Sequence, residues 1–104
     1  MKERSGTVLI TGAGAGLGRR LAVLFAERGL AVALADISAA GLDQTRALLP
    51  EGADAIAIPS DLTADGAPAA AVEQAVAGFG RLDILVNNAG YGAIEPFLGM
   101  TAAL

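Results

Sequence analysis

The sequence predicts an α/β fold in which a parallel sheet lies between layers of helix. Two observations predict it. Short aliphatic runs alternate with stretches of helical spacing as β-α-β-α-β-α-β, and short crossovers of this kind demand parallel strands joined right-handedly. Apolar residues make up 54% of the 104, while aromatics make up only 4%. Ala, Leu, Val and Ile must therefore build the core, as suits buried parallel strands. A chain of this length holds one compact unit.

The first strand is Thr7-Val8-Leu9-Ile10-Thr11, ending in a glycine cluster. From Leu17 to Arg28 the pattern is helical, with Leu17, Leu21, Leu24 and Arg28 in step and Phe25 beside them. Gly29 sits where a C-terminal cap belongs. Leu30 to Ala35 reads as a second buried strand, stopped by Asp36. Ser38 can cap a helix reaching Leu49, with Leu42, Thr45 and Leu49 inward and Pro50 and Gly52 ending it. Ala55-Ile56-Ala57-Ile58 is the third strand; Pro59 ends its use in a ladder, and Ser60-Asp61 begins a loop. A third helix spans about Ala67 to Gly78, with Val72 and Val76 on its buried side. Leu82 to Val86 is the fourth strand, followed by the loop Asn87-Asn88-Ala89-Gly90. The tail from Tyr91 to Leu104 reads as loop, with Thr101 capping the start of a further helix.

Charge and composition narrow the chemistry. Seven basic residues against eleven acidic ones give a formal charge of −4, so nothing resembles the basic stripe that neutralises nucleic acid. Cysteine and histidine are both absent, which removes disulfides, thiolate catalysis, His acid–base chemistry and the usual zinc ligands. The polar start lacks the apolar stretch of a signal peptide, and no aliphatic run reaches membrane-spanning length. The expectation is a soluble, cytoplasmic protein with no nucleic-acid or membrane partner and no metal.

The glycine cluster Thr11-Gly12-Ala13-Gly14-Ala15-Gly16-Leu17-Gly18 lies between the first strand and the first helix. There glycines have a mechanism: one permits a sharp turn, one lets backbone approach a diphosphate, and one allows the helix close to the strand. Unpaired N–H groups at the helix start face the phosphates. Arg19 follows where a mononucleotide loop needs lysine, and Leu17 stands where G-x-G-x-x-G needs its third glycine. Asp36 closes the second strand, where a carboxylate can accept the ribose hydroxyls of an adenosine and repel a 2′-phosphate. Ile37 offers no basic replacement, and Arg19 and Arg20 are expected to face solvent. NAD is expected as cofactor rather than NADP.

These pieces resemble the short-chain dehydrogenase/reductase family. Its cofactor loop, Thr-Gly-x-x-x-Gly-x-Gly, stands here as Thr11-Gly12, Gly16 and Gly18. Asp61-Leu62 looks like the family's adenine-flanking pair, and Asn87-Asn88-Ala89-Gly90 matches its Asn-Asn-Ala-Gly segment without change. The Gly80 to Val86 approach is equally typical of the group. The resemblance implies a Rossmann-type three-layer α/β/α domain with strand order 3-2-1-4. It implies a nicotinamide cofactor held by Gly12, Gly14, Ala15, Gly16, Leu17, Gly18, Asp36, Ile37, Asp61, Leu62, Asn88, Ala89 and Gly90, Asn88 lying nearest its nicotinamide-side ribose. It further implies hydride transfer with an alcohol or carbonyl substrate, in a full-length homodimer or homotetramer.

The family's catalytic Ser and Tyr-x-x-x-Lys are missing. Tyr91 is the one tyrosine, Glu95 occupies the position where the motif needs lysine, and Lys2 is the one lysine. No residue is therefore assigned to catalysis, and residues 1–104 are expected to be the N-terminal part of a single NAD(P)-binding domain, a fragment inactive alone. On that reading Val8 and Ile10 lose cover on one side and the edge of the fourth strand lies bare. Such a chain is expected to be marginally stable and a weak NAD binder. Rival readings are a non-catalytic dinucleotide-binding module and, less well supported, a nucleotide-sugar epimerase or methyltransferase.

Overall fold

The computed structural model describes residues 6–88 and 93–96. Its elements run β1 (Thr7–Thr11), α1 (Gly16–Glu27), β2 (Ala31–Asp36), α2 (Ala39–Leu48), β3 (Ala55–Pro59), α3 (Ala67–Phe79), β4 (Ile84–Asn87) and β5 (Ala93–Pro96). They form one sheet of order β3-β2-β1-β4-β5. The first four strands are parallel and in the expected 3-2-1-4 order, while β5 runs antiparallel to β4.

β1 lies at the centre because all five of its residues are buried. Successive side chains of a strand point to opposite faces, and the core divides accordingly. Val8, Ile10, Val32, Leu34 and Val86 meet Ala22 and Ala26 of α1 and Leu42 of α2. Leu9, Ala33, Ala35 and Ile58 meet Ala71 and Ala75 of α3. Val8 and Ile10, expected to lose their cover, are instead fully buried under α1 and α2. Alternation places Leu9, between them, on the α3 side.

Two expectations about α1 give way. Its buried residues are Gly18, Ala22 and Ala26, with Leu21 and Phe25 packed beside them. Leu17 and Leu24, part of the apolar spacing, are 55% and 42% exposed. The smallest side chains face the sheet because the helix lies too close to β1 for larger ones. A Cβ on Gly18 would collide with the Gly12 carbonyl oxygen. On α3 the same preference puts Ala71 and Ala75 innermost and Val72 and Val76 partly buried around them.

The tail is likewise not all loop. β5 pairs Ala93 with Asn87, Ile94 with Val86, Glu95 with Leu85 and Pro96 with Ile84. The β4 edge, expected to lie bare, thus has its backbone groups satisfied, and an edge strand tolerates a proline that cannot donate. Thr101 and Tyr91 lie outside the described residues.

At the amino ends of the strands, Asp83 ties β1 to the start of β4. Its Oδ2 accepts from the Thr7 N–H at 2.8 Å, and its carboxylate pairs with Arg81. Burial raises the Asp83 pKa, but the hydrogen bonds from Arg81 and Thr7 and the Arg81 charge outweigh it, holding the carboxyl below the ordinary range. Among the described residues no helix is long and apolar enough to cross a membrane.

Candidate functional site

Parallel pairing brings the chemistry-bearing turns to one edge. Thr11 is in register with Ala35, Ile10 with Val86, and Asp36 with Pro59. The glycine turn after β1, Asp36 at the end of β2, the Asp61 loop after β3 and Asn88 after β4 therefore share the carboxyl edge of the sheet, where such folds take ligands.

The turn is built by its glycines. Gly12 and Gly16 have φ of 66° and 55°, a left-handed region that side chains disfavour. Gly18 lets α1 descend onto Gly12, as described above. Gly14 is pressed against Asp36, since a Cβ there would lie 2.9 Å from Asp36 Oδ2. Around Gly16 no atom stands within 4 Å of such a Cβ, so this glycine backs onto open space. Ala15, the residue before α1, is extended and offers no side-chain cap, and the first turn holds no acidic residue. Among the described residues, the leading N–H groups of α1 thus receive no side-chain cap, and no acidic residue of its own first turn offsets the partial positive charge of the helix start.

Asp36 is oriented by this turn. Its Oδ2 accepts from the Gly14 N–H at 2.9 Å and its Oδ1 from the Ser38 N–H at 2.9 Å. A carboxylate has about four acceptor sites, so two stay available for hydroxyl donors. Ile37 beside it is 71% exposed. Asp61 is exposed and accepts from the Thr63 hydroxyl at 2.6 Å and the Thr63 N–H at 3.0 Å. Those two bonds, the hydroxyl first, lower its pKa. Leu62 is half-buried against the α3 side of the core.

Asn88 joins the turn to β4. Its N–H donates to Thr11 Oγ1 at 2.9 Å and its Nδ2 to the Gly12 carbonyl at 3.4 Å, while Thr11 Oγ1 donates to the Val86 carbonyl at 3.3 Å. Ala89 and Gly90, the remaining expected site residues, lie outside the described residues.

Arg20 is exposed as expected, but Arg19 is not a solvent-facing cation. It turns back between α1 and α2, donating from Nε to Thr45 Oγ1 at 3.0 Å and from Nη2 to the Gly14 carbonyl and to Gln44 Oε1. Thr45, expected as an ordinary inward residue of α2, is fully buried and donates to the Ala13 carbonyl at 2.7 Å. The sequence signal for this pair was a polar residue at a core position of α2, one turn beyond Gly41. A separate groove along the solvent side of α1, lined by Val23, Leu24, Glu27 and Leu48, meets this region at Gly16 and Arg19.

A family model described as short chain dehydrogenase matches residues 6–103. The chain belongs to that family. Its relatives include an uncharacterized oxidoreductase of Thermotoga maritima, 48% identical over 99 residues, 91% of this chain and 39% of the relative. The 7alpha-hydroxysteroid dehydrogenase of Escherichia coli K12 is 40% identical over 93 residues, 86% of this chain and 35% of that one. A crystal structure of a short chain dehydrogenase/reductase from Burkholderia phymatum in complex with NAD superposes with a TM-score of 0.73 at 30% identity, covering 82% of this chain and 31% of the other. The chain therefore spans between about a third and two-fifths of the length of the curated relatives it matches. Membership in a short-chain dehydrogenase family does not favour the epimerase or methyltransferase readings.

Proposed function

We propose that this chain is the NAD-binding portion of an oxidoreductase that moves hydride between a nicotinamide cofactor and an alcohol or carbonyl carbon. One observation carries the reading: the uncapped start of α1 and the Asp36 carboxylate stand side by side at the carboxyl edge, joined through the Gly14 N–H. The residues fit a dinucleotide. Amides of Gly16, Leu17 and Gly18 receive the diphosphate over the open space at Gly16, and Asp36 accepts the adenosine ribose hydroxyls on its two remaining sites. Ile37, Asp61 and Leu62 flank the adenine, and Asn88, with Ala89 and Gly90, lines the nicotinamide-side ribose. When bound, the nicotinamide supplies or accepts the hydride; these residues hold and orient it. No side chain of this chain is assigned to proton transfer.

NAD is preferred to NADP on this reading. Asp36 would repel a 2′-phosphate, and Arg19, whose donors serve Thr45, Gly14 and Gln44, is not turned toward one. Fluorescence titration tests it: NADH is expected to bind at least about tenfold more tightly than NADPH, and Asp36→Ala to shrink that preference while weakening NADH. Equal or tighter binding of NADPH by the parent chain contradicts the role given to Asp36.

A further inference from the structure

We propose that Arg19 and Thr45 are positioning residues that pin two successive carbonyls of the glycine turn, holding the Gly14 amide hydrogen on Asp36 and fixing the path by which the turn enters α1. The proposal rests on the dinucleotide reading above and adds residues to it. Thr45 Oγ1 donates to the Ala13 carbonyl at 2.7 Å and accepts from Arg19 Nε at 3.0 Å, which uses the hydroxyl's one hydrogen and one lone pair. Arg19 Nη2 donates to the next carbonyl, that of Gly14.

The consequence follows from the planarity of the peptide group. In a trans peptide the C=O of one residue and the N–H of the next point in opposite directions. Pinning the Ala13 carbonyl toward α2 turns the Gly14 N–H away from α2, and that N–H is the one Asp36 accepts. Pinning the Gly14 carbonyl likewise turns the Ala15 N–H away from the Arg19 guanidinium. Two glycines in series bring the helix within reach: a Cβ on Gly41 of α2 would lie 2.7 Å from the Gly14 carbonyl oxygen. Thr45 is fully buried, and a hydroxyl at that position is explained by these two bonds.

Two substitutions at Thr45 separate positioning from packing. Thr45→Val keeps the volume and removes the hydroxyl; Thr45→Ser keeps the hydroxyl and removes the methyl. Positioning predicts that Thr45→Val weakens NADH about five- to tenfold, the worth of a buried hydrogen bond, while Thr45→Ser stays within about twofold of the parent. Arg19→Met is expected to match Thr45→Val, Arg19→Lys to fall between it and the parent, and the Arg19→Met/Thr45→Val double variant to lose less than the product of the two single losses. Parental NADH affinity in Thr45→Val, or a larger loss in Thr45→Ser, overturns the proposal. If Thr45→Val does not fold, the Arg19 pair decides by the same ordering. If the parent itself binds no NADH, the dinucleotide reading fails, and amide exchange of Gly14 and Ala15 then judges the pinning alone. Faster exchange in Thr45→Val but not in Thr45→Ser supports it, and equal rates overturn it.

Discussion

The starts of α1 and α2 lie on the same face of the sheet and at the same edge, yet they treat their backbone donors in opposite ways. At α2, Ser38 accepts from the Gly41 N–H at 3.0 Å, and Asp36 accepts from the N–H of Ser38 itself. At α1, Ala15 caps nothing. A good N-cap contributes about 1 kcal/mol, so the uncapped start forgoes stability that α2 collects. The start of α3 is also uncapped, at Gly66, but Pro68 in its first turn has no N–H to satisfy. Helix α1 is thus the one of the three whose unspent donors stand next to an oriented carboxylate. The start proposed to bind the ligand is the one left open beside Asp36.

The comparison can be broken most severely at Gly18. Gly18→Ala forces a Cβ into the Gly12 carbonyl and is expected to cost about 2–4 kcal/mol. The Tm should fall by about 10 °C or more and NADH binding should be lost, as thermal denaturation followed by circular dichroism and a titration would show. An unchanged melting curve would mean that the helix does not need its close seat on β1.

A subtler substitution makes the α1 start resemble that of α2. Ala15→Asp supplies the missing cap in a residue that is already extended and exposed. The helix should gain about 0.5–1 kcal/mol from the cap and the favourable helix-end charge, while NADH affinity falls at least about tenfold through repulsion of the diphosphate. Stability and binding moving in the same direction would undo the contrast. The smallest effect is expected from Ser38→Ala, which removes the α2 cap for about 1 kcal/mol and leaves NADH affinity within about twofold. A binding loss as large as that of Ala15→Asp would show that the α2 start also serves the ligand.

Much of this arrangement was legible in the sequence because local signals and the global fold agree. The aliphatic runs became the first four strands, in the order the family resemblance implied. Ser38 became the cap of α2, and Gly12 to Gly18 became the turn against Asp36. What escaped depends on contacts between segments distant in sequence. Helical spacing identified α1 but emphasised Leu17 and Leu24, because it cannot tell how near the sheet lies; the close seat selected Gly18, Ala22 and Ala26. Arg19 reads as a surface cation until Thr45, 26 positions away, is placed beside it. The pairing of β5 was hidden for a related reason, since Ala93 to Pro96 has no strong strand pattern and gains its conformation from the neighbouring β4 edge.

The small stripe of α1 has a bearing on how such a protein can change. Ala22 and Ala26 act as shims of fixed thickness between helix and sheet, and any bulkier side chain at either position would lift the whole rod. Because the rod is stiff, its leading amides would rise with it. Residues one and two turns behind the turn thereby set the height of amides they never touch, while Leu17 and Leu24 on the outer surface are at liberty to drift.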